Sequence, residues 1–290
     1  MSNEKRKIED LNLLDDFLFA EASADEATAE VLVKLVIERA TGVQVGELLI
    51  EPQKIINGVD TNCHGIRLDV SVREMKVTEK DKQMVQLFDI EPNNIQKVHL
   101  PKRSRYYQAL TDVKLLESGV DYDKMPDMWT IWILSYDPFG KGYMMYSVKN
   151  RVEEFPEIEY NDGVRKLFLY TDGKIGGNCA LENLLKYMKD SKEENAVDEE
   201  LKKLHSNIER LKGNKKIGVK YMQMQEVMKY KIEEAVEEAV EAVTQQVTQQ
   251  VEERMAKLTD ILLNEERFEE LRRMTKDEEY RKELFVKYKI

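Results

Sequence analysis

Two neighbouring segments constrain this chain more than any other feature. Residues 65–75 (GIRLDVSVREM) alternate strictly, with Ile66, Leu68, Val70 and Val72 on one side and Arg67, Asp69, Ser71 and Arg73 on the other. That two-residue period belongs to a strand with unlike faces. Residues 84–91 (MVQLFDIE) follow a polar stretch at 74–83, and the same period puts Asp89 and Glu91 on one face. The pair reads as a hairpin carrying three acids.

The flanking chain supplies the rest of a sheet. Pro92 ends the second strand, and Pro101 sits where proline favours a helix start, so 102–117 is expected to be a helix that stops before Gly119. Residues 129–136 (WTIWILSY) form a nearly continuous β-rich run, as expected of a strand buried on both faces. Further strands are expected at 142–148 and 165–170. Upstream, 11–19 suggests the start of a short amphipathic helix, and 24–40 a second helix closed by Thr41 and Gly42. After it, 45–56 reads as extended chain before a turn at Asn57 and Gly58. The expected fold class is α/β (α+β), a central mixed β-sheet flanked by helices.

Periodicity changes near residue 190. From 191 to 290 there is no proline and glycine only at 213 and 218, so this part is expected to be a helical region, distinct from a domain over 1–190. The total of 290 residues suits one core and an appendage. Within the tail, EEAVEEAV is followed by VTQQVTQQ. A stripe of Val236, Val240, Val243, Val247, Val251, Met255, Leu258 and Leu262 advances by about 3.7 residues per step. That period favours a straight or hendecad helix over a leucine zipper, and a homo-oligomer formed through the C-terminal helices is expected.

Several function classes are disfavoured. Cys63 and Cys179 are the only cysteines, and His64, His99 and His205 the only histidines. A disulfide framework and a zinc site are therefore not expected, and a reducing cytoplasmic location is. No stretch approaches the ~20 apolar residues of a membrane span, and the charged N-terminus has no apolar leader segment, so no membrane partner is expected. There is no Walker A, dinucleotide, zincin or nucleophile-elbow motif. The net charge of −11 opposes bulk coating of nucleic acid but leaves room for a local basic strip.

Such a strip exists. Lys97, Lys102, Arg103 and Arg105 fall in a nine-residue span without an acid, followed by Tyr106, Tyr107 and Gln108. Asp69, Asp89 and Glu91 on neighbouring strands supply the oxygen ligands that a hard divalent cation takes, and the strip supplies groups for phosphate beside it. The competing reading is a solvated hairpin face and a solvated helix face.

The run LDV…FDIEPN…RSRYYQALTD resembles the PD-(D/E)XK superfamily, and specifically the bacterial recombination-promoting nuclease (Rpn-type), transposase-like proteins. Asp16-Phe17-Leu18-Phe19 and WTIWILSYDPFGKGYMMYSVKN are also similar to segments of that family, so the likeness covers about residues 10–190. It implies a restriction-endonuclease-like core and a Mg²⁺ (or Mn²⁺)-dependent DNA endonuclease. Asp69 and Glu91 would be the catalytic and metal-holding acids, joined on the metal by the Pro92 backbone carbonyl. Asp89 and Asp16 would support the metal. Asn93 falls where the motif has Lys and this branch has Gln, and Gln108 falls on a family position facing the site. Lys97, Lys102, Arg103, Arg105 and Tyr106 would contact DNA. Because an amide can orient a water but cannot stabilise the charged transition state as a Lys would, Asn93 keeps an alternative open: a non-cleaving DNA- or protein-binding member working through its tail.

Overall fold

The alternating segments become neighbouring strands. β1 (Glu47–Ile56), β2 (Ile66–Val77) and β3 (Lys82–Asn93) form an antiparallel meander, with Val70 opposite Ile90 and Ser71 opposite Asp89. The computed structural model describes residues 6–58, 64–77, 82–96, 99–116 and 119–290. Both hairpin strands run further into 74–83 than their alternation suggests. A register shift at Glu74/Met75 lets the ladder resume after a bulge, so the polar stretch pairs up to Val77 and Lys82.

After β3 the chain crosses over: the helix over Leu100–Leu115 leads to β4 (Asp127–Leu134), which lies parallel to β3. A parallel neighbour requires such a crossover, and a helix is the usual one. β6 (Val164–Tyr170) lies parallel to β4, and β5 (Met145–Val148) closes the far edge antiparallel to β6. The sheet is thus six-stranded, mixed and open, in the order β1-β2-β3-β4-β6-β5. Trp132, Ile133 and Leu134 are all fully buried, as expected of a strand covered on both sides.

Two helices precede the sheet, α1 (Asp16–Ala24) and α2 (Glu26–Thr41), and the crossover helix is α3. The expected helix start at residue 11 is displaced to Asp16. The Asn12 side chain accepts from the Leu14 amide at 2.9 Å and Asp15 accepts from the Asn12 amide at 2.7 Å, a local turn that competes with helical bonding. Asp25 separates the two helices and caps α2, accepting from the Thr28 amide at 3.2 Å. Gly42, at φ +75°, ends it in the left-handed conformation that glycine adopts freely.

α4 (Cys179–Lys189) and α5 (Glu199–Lys212) follow, begun by Asn178 and Asp198 caps. α5 packs on α2, where Arg39 reaches Asp198 at 3.0 Å and Arg210 meets Asp25. The compact unit that holds the sheet therefore runs past residue 190, to Tyr221. The tail is helical as expected: α6 (Lys215–Asn264), α7 (Phe268–Met274) and α8 (Glu278–Tyr288). A second compact unit spans Met222–Ile290, with its own core of Leu258, Leu262, Met274 and Leu284. Among the described residues no helix is long and apolar enough to cross a membrane.

Candidate functional site

The site begins with a break in a ladder. Pairing between β2 and β3 stops at Val70 and Ile90, two residues before Pro92, which has no N–H to continue it. The Asp69 amide donates instead to Glu91 Oε1 at 2.8 Å. The register across three strands then puts Ser71, Asp89 and Thr130 in one row, with Glu91 beside Trp132 in the next. These residues share one face, and α3 covers it, with Tyr107 packed against Trp132 at a ring separation of 5.9 Å.

Asp89 and Glu91 are therefore interior groups, at 0% and 1% exposure. The solvated-hairpin reading does not hold for them. With both carboxylates ionised, neither Asp89 oxygen, nor Glu91 Oε2, has a hydrogen-bond donor. Burial pushes the Asp89 carboxyl up to about 7; Glu91 lowers it by hydrogen bonding when it holds the proton, and the Asp69 charge raises it. Burial also raises Glu91 well above the carboxylate range, and the charges of Asp89 and Asp69 add to this. Two ionised carboxylates this close and this dry are costly unless a cation compensates them.

Arg103 is the nearest compensating group. Its guanidinium lies 3.6 Å from Glu91 Oε2, donates to the Tyr107 hydroxyl at 2.6 and 2.9 Å, and sits 4.8 Å and 5.0 Å from the Tyr107 and Trp132 ring centres. The helical period separates it from its basic neighbours, since Lys102, Arg105 and Tyr106 are exposed on the other side of α3. Tyr106 donates through its hydroxyl to the His64 carbonyl. Lys97 lies outside the described residues.

The inner face of α3 is polar along one stripe. Ser104 and Thr111 are buried with unpartnered hydroxyls, as are Ser71 and Thr130 on the sheet below. Gln108, between them, accepts from Lys166 Nζ at 2.7 Å and donates to Asp112 at 3.4 Å. Lys166 lies opposite Thr130 in the β4–β6 register, so it continues the row that contains Asp89. Burial lowers its pKa, against the opposing charges of Asp162 and Asp112. Lys166 was not among the expected site residues; the signal was that, of the two adjacent basic residues in β6, Lys166 shares a face with the apolar Phe168.

The remaining expected residues are dispersed. Asn93 is buried two residues beyond Glu91; its Oδ1 accepts from the Ile95 amide at 3.0 Å and its Nδ2 has no partner. Pro92 is buried opposite Ile133. Asp16 is exposed at the start of α1, and among the described residues no interaction links it to the three acids. Nor is any group of three His, Cys, Asp or Glu side chains among the described residues arranged to hold a metal ion. Comparison with family models, curated proteins and solved structures finds no match to this chain.

Proposed function

We propose that this protein is a divalent-metal-dependent DNA endonuclease of the recombination-promoting, transposase-like type, built on a restriction-endonuclease-like core. The observation that carries the reading is the buried carboxylate pair Asp89 and Glu91 beside Asp69 at the break in the β2–β3 ladder, which Arg103 meets only at 3.6 Å from Glu91 Oε2. The donor set fits Mg²⁺ or Mn²⁺, because Mg²⁺ keeps several waters and needs only one or two carboxylates from the protein. Asp69, Glu91 and the Pro92 carbonyl would hold the ion, with Asp89 supporting it. When bound, the ion would polarise a phosphodiester and lower the pKa of a water.

The chain's own groups do the rest. Arg103, 3.6 Å from Glu91 Oε2, would be free to hold a phosphate once a cation compensates that carboxylate. Lys102, Arg105 and Tyr106 on the exposed side of α3, with Lys97, contact the DNA backbone. Asn93 Nδ2 offers a donor that orients a water, and Gln108 holds Lys166 over the same face. Pairing of protomers through the C-terminal helices brings together two sites that each cut one strand.

The test is cleavage of supercoiled plasmid by purified protein with Mg²⁺ or Mn²⁺. Asp69→Ala and Glu91→Ala are each expected to lower the rate at least ~10³-fold, the scale for removing a principal electrostatic element of a transition state. Cleavage that persists unchanged in both variants would falsify the assignment.

A second reading is a non-cleaving relative that binds DNA or protein. It is favoured by the salt bridge from Arg103 to Glu91, which already supplies a cation to the site, and by Asn93 in place of a basic residue. Titration calorimetry separates the two: the nuclease binds Mn²⁺ at millimolar concentration with a site lost in Glu91→Ala, and the non-cleaving relative does not.

A further inference from the structure

Every residue of α6 from Glu226 to Arg254 is exposed. Yet this stretch carries an aliphatic stripe of Ile232, Val236, Val240, Val243, Val247 and Val251. The steps of 4, 4, 3, 4 and 4 residues keep the stripe on one side of a nearly straight helix for about 29 Å. Its continuation shows what such a stripe does when covered. Met255, Leu258 and Leu262 are the next positions: Leu258 and Leu262 are buried in the core of the second unit, with Met255 half-buried against it. A long exposed helix draws most of its stability from packing such a face, so the uncovered part requires a partner.

We propose that the partner is a second copy of this chain, with the two α6 helices pairing antiparallel about an axis at the Glu241–Ala242 peptide. The tandem repeats carry the orientation. With that centre, Val240 of one copy lies level with Val243 of the other, Val236 with Val247, and Ile232 with Val251. The apolar stripes therefore match along their whole length. The acids match too, because Glu233, Glu234, Glu237 and Glu238 lie level with Gln250, Gln249, Gln246 and Gln245.

A parallel, in-register pair does the opposite. It sets the glutamates at 233–241 of both copies side by side within about 12 Å of helix length, comparable to the Debye length at moderate salt, where like charges still repel. The antiparallel match extends to Lys231 level with Glu252. It ends at Lys229 level with Arg254, a like-charged pair, and Arg254 is already engaged with the Ile290 carbonyl at 2.9 Å and the Phe285 ring. Two stripes of this length bury on the order of 1,000 Å² together, the lower edge for a specific interface. The expected complex is therefore a dimer that dissociates on dilution.

This orientation rests on the pairing of protomers proposed above, and not on the nuclease reading. The test uses the full chain with Cys63→Ser and Cys179→Ser, into which Val236→Cys or Val247→Cys is introduced singly. Sedimentation of the cysteine-free chain is expected to show a monomer–dimer equilibrium at micromolar concentration. Under mild oxidation each single variant alone should give little covalent dimer, since residues 236 of the two copies stand about 16 Å apart along the helices. An equimolar mixture of the two variants should give at least ~10-fold more, because 236 and 247 face each other at disulfide distance. Efficient cross-linking of each variant with itself overturns the antiparallel orientation and leaves pairing intact, as a parallel coil. A dimer that cross-links in neither arm places the interface elsewhere and overturns the proposal. A chain that stays monomeric to ~100 μM, well above the micromolar range of a minimal interface, overturns pairing itself.

Discussion

At the scale of single residues, Asp89 is where burial and charge conflict most. Its folded-state pKa is pushed up to about 7, against 3.8 for an unburied aspartate. Between these two values the unfolded chain releases a proton that the folded chain retains. The folded state then binds more protons, so stability falls as pH rises through this window, and the loss is complete above about pH 7. Asp89→Asn removes the ionisation and should flatten the slope. In chelator, thermal melts of the two proteins should lie close together at about pH 4, where the loss has barely begun. By pH 8 the variant should melt higher by about 3 °C or more. Millimolar Mn²⁺ should close the gap by stabilising the ionised wild-type site. A gap that does not change with pH in chelator would mean that Asp89 is already compensated. The period-2 pattern was enough to place these acids together. It could not reveal their burial, because the helix that covers them presents Ser104, Gln108 and Thr111 to the sheet, and a polar stripe carries no hydrophobic signal.

At the scale of elements, the strands most legible in the sequence were those whose pattern is local. β2 and β3 alternate, β4 is a nearly continuous run of β-forming residues, and Gly65 marks the start of β2, although β3 runs one residue past the Pro92 expected to end it. The spatial order β4-β6-β5 was not legible, because parallel pairing joins segments far apart in sequence and leaves no periodic trace. α4 was likewise not anticipated, although its Asn178 cap accepts from the Leu181 amide at 2.8 Å. The turn between β6 and α4 shows how tightly this edge is built. Gly173 donates to the Tyr170 carbonyl at 3.1 Å, and a Cβ there would lie 2.3 Å from the Met144 Cα. That neighbour is backbone just ahead of β5, so it cannot yield by a rotamer change. Gly173→Ala should destabilise the sheet-bearing unit by about 2–4 kcal/mol, the range for strain that forces backbone apart. Urea unfolding followed by tryptophan fluorescence reports on it directly, since Trp129 and Trp132 are both on β4. A cost under ~0.5 kcal/mol, the scale of an ordinary surface change, would show that the strand edge relaxes freely.

At the scale of the whole molecule, the net charge of −11 is less informative than where charges are buried and where apolar groups are left bare. The first unit holds the sheet and a large core, whereas the second closes on four fully buried side chains, Leu258, Leu262, Met274 and Leu284. So small a core supplies only a few kcal/mol, so the two units should not melt together. Calorimetry of the full chain should show a low transition from the tail and a higher one from the sheet-bearing unit. If α6 self-associates, the low transition should rise with protein concentration, because a dimer is stabilised by mass action, while the high one should not. A chain ending at residue 225 keeps Tyr221 against Phe17, with rings 5.0 Å apart, and Lys220 beside Glu21. It should retain the high transition within ~3 °C, about the shift that 1 kcal/mol causes in a unit of this size, and lose the low one. If the full chain binds Mn²⁺ at the proposed site, the truncated chain should bind it too, since Asp69, Asp89 and Glu91 all lie within the retained unit. One cooperative transition in the full chain, or collapse of the high transition on truncation, would show that the units depend on each other for stability.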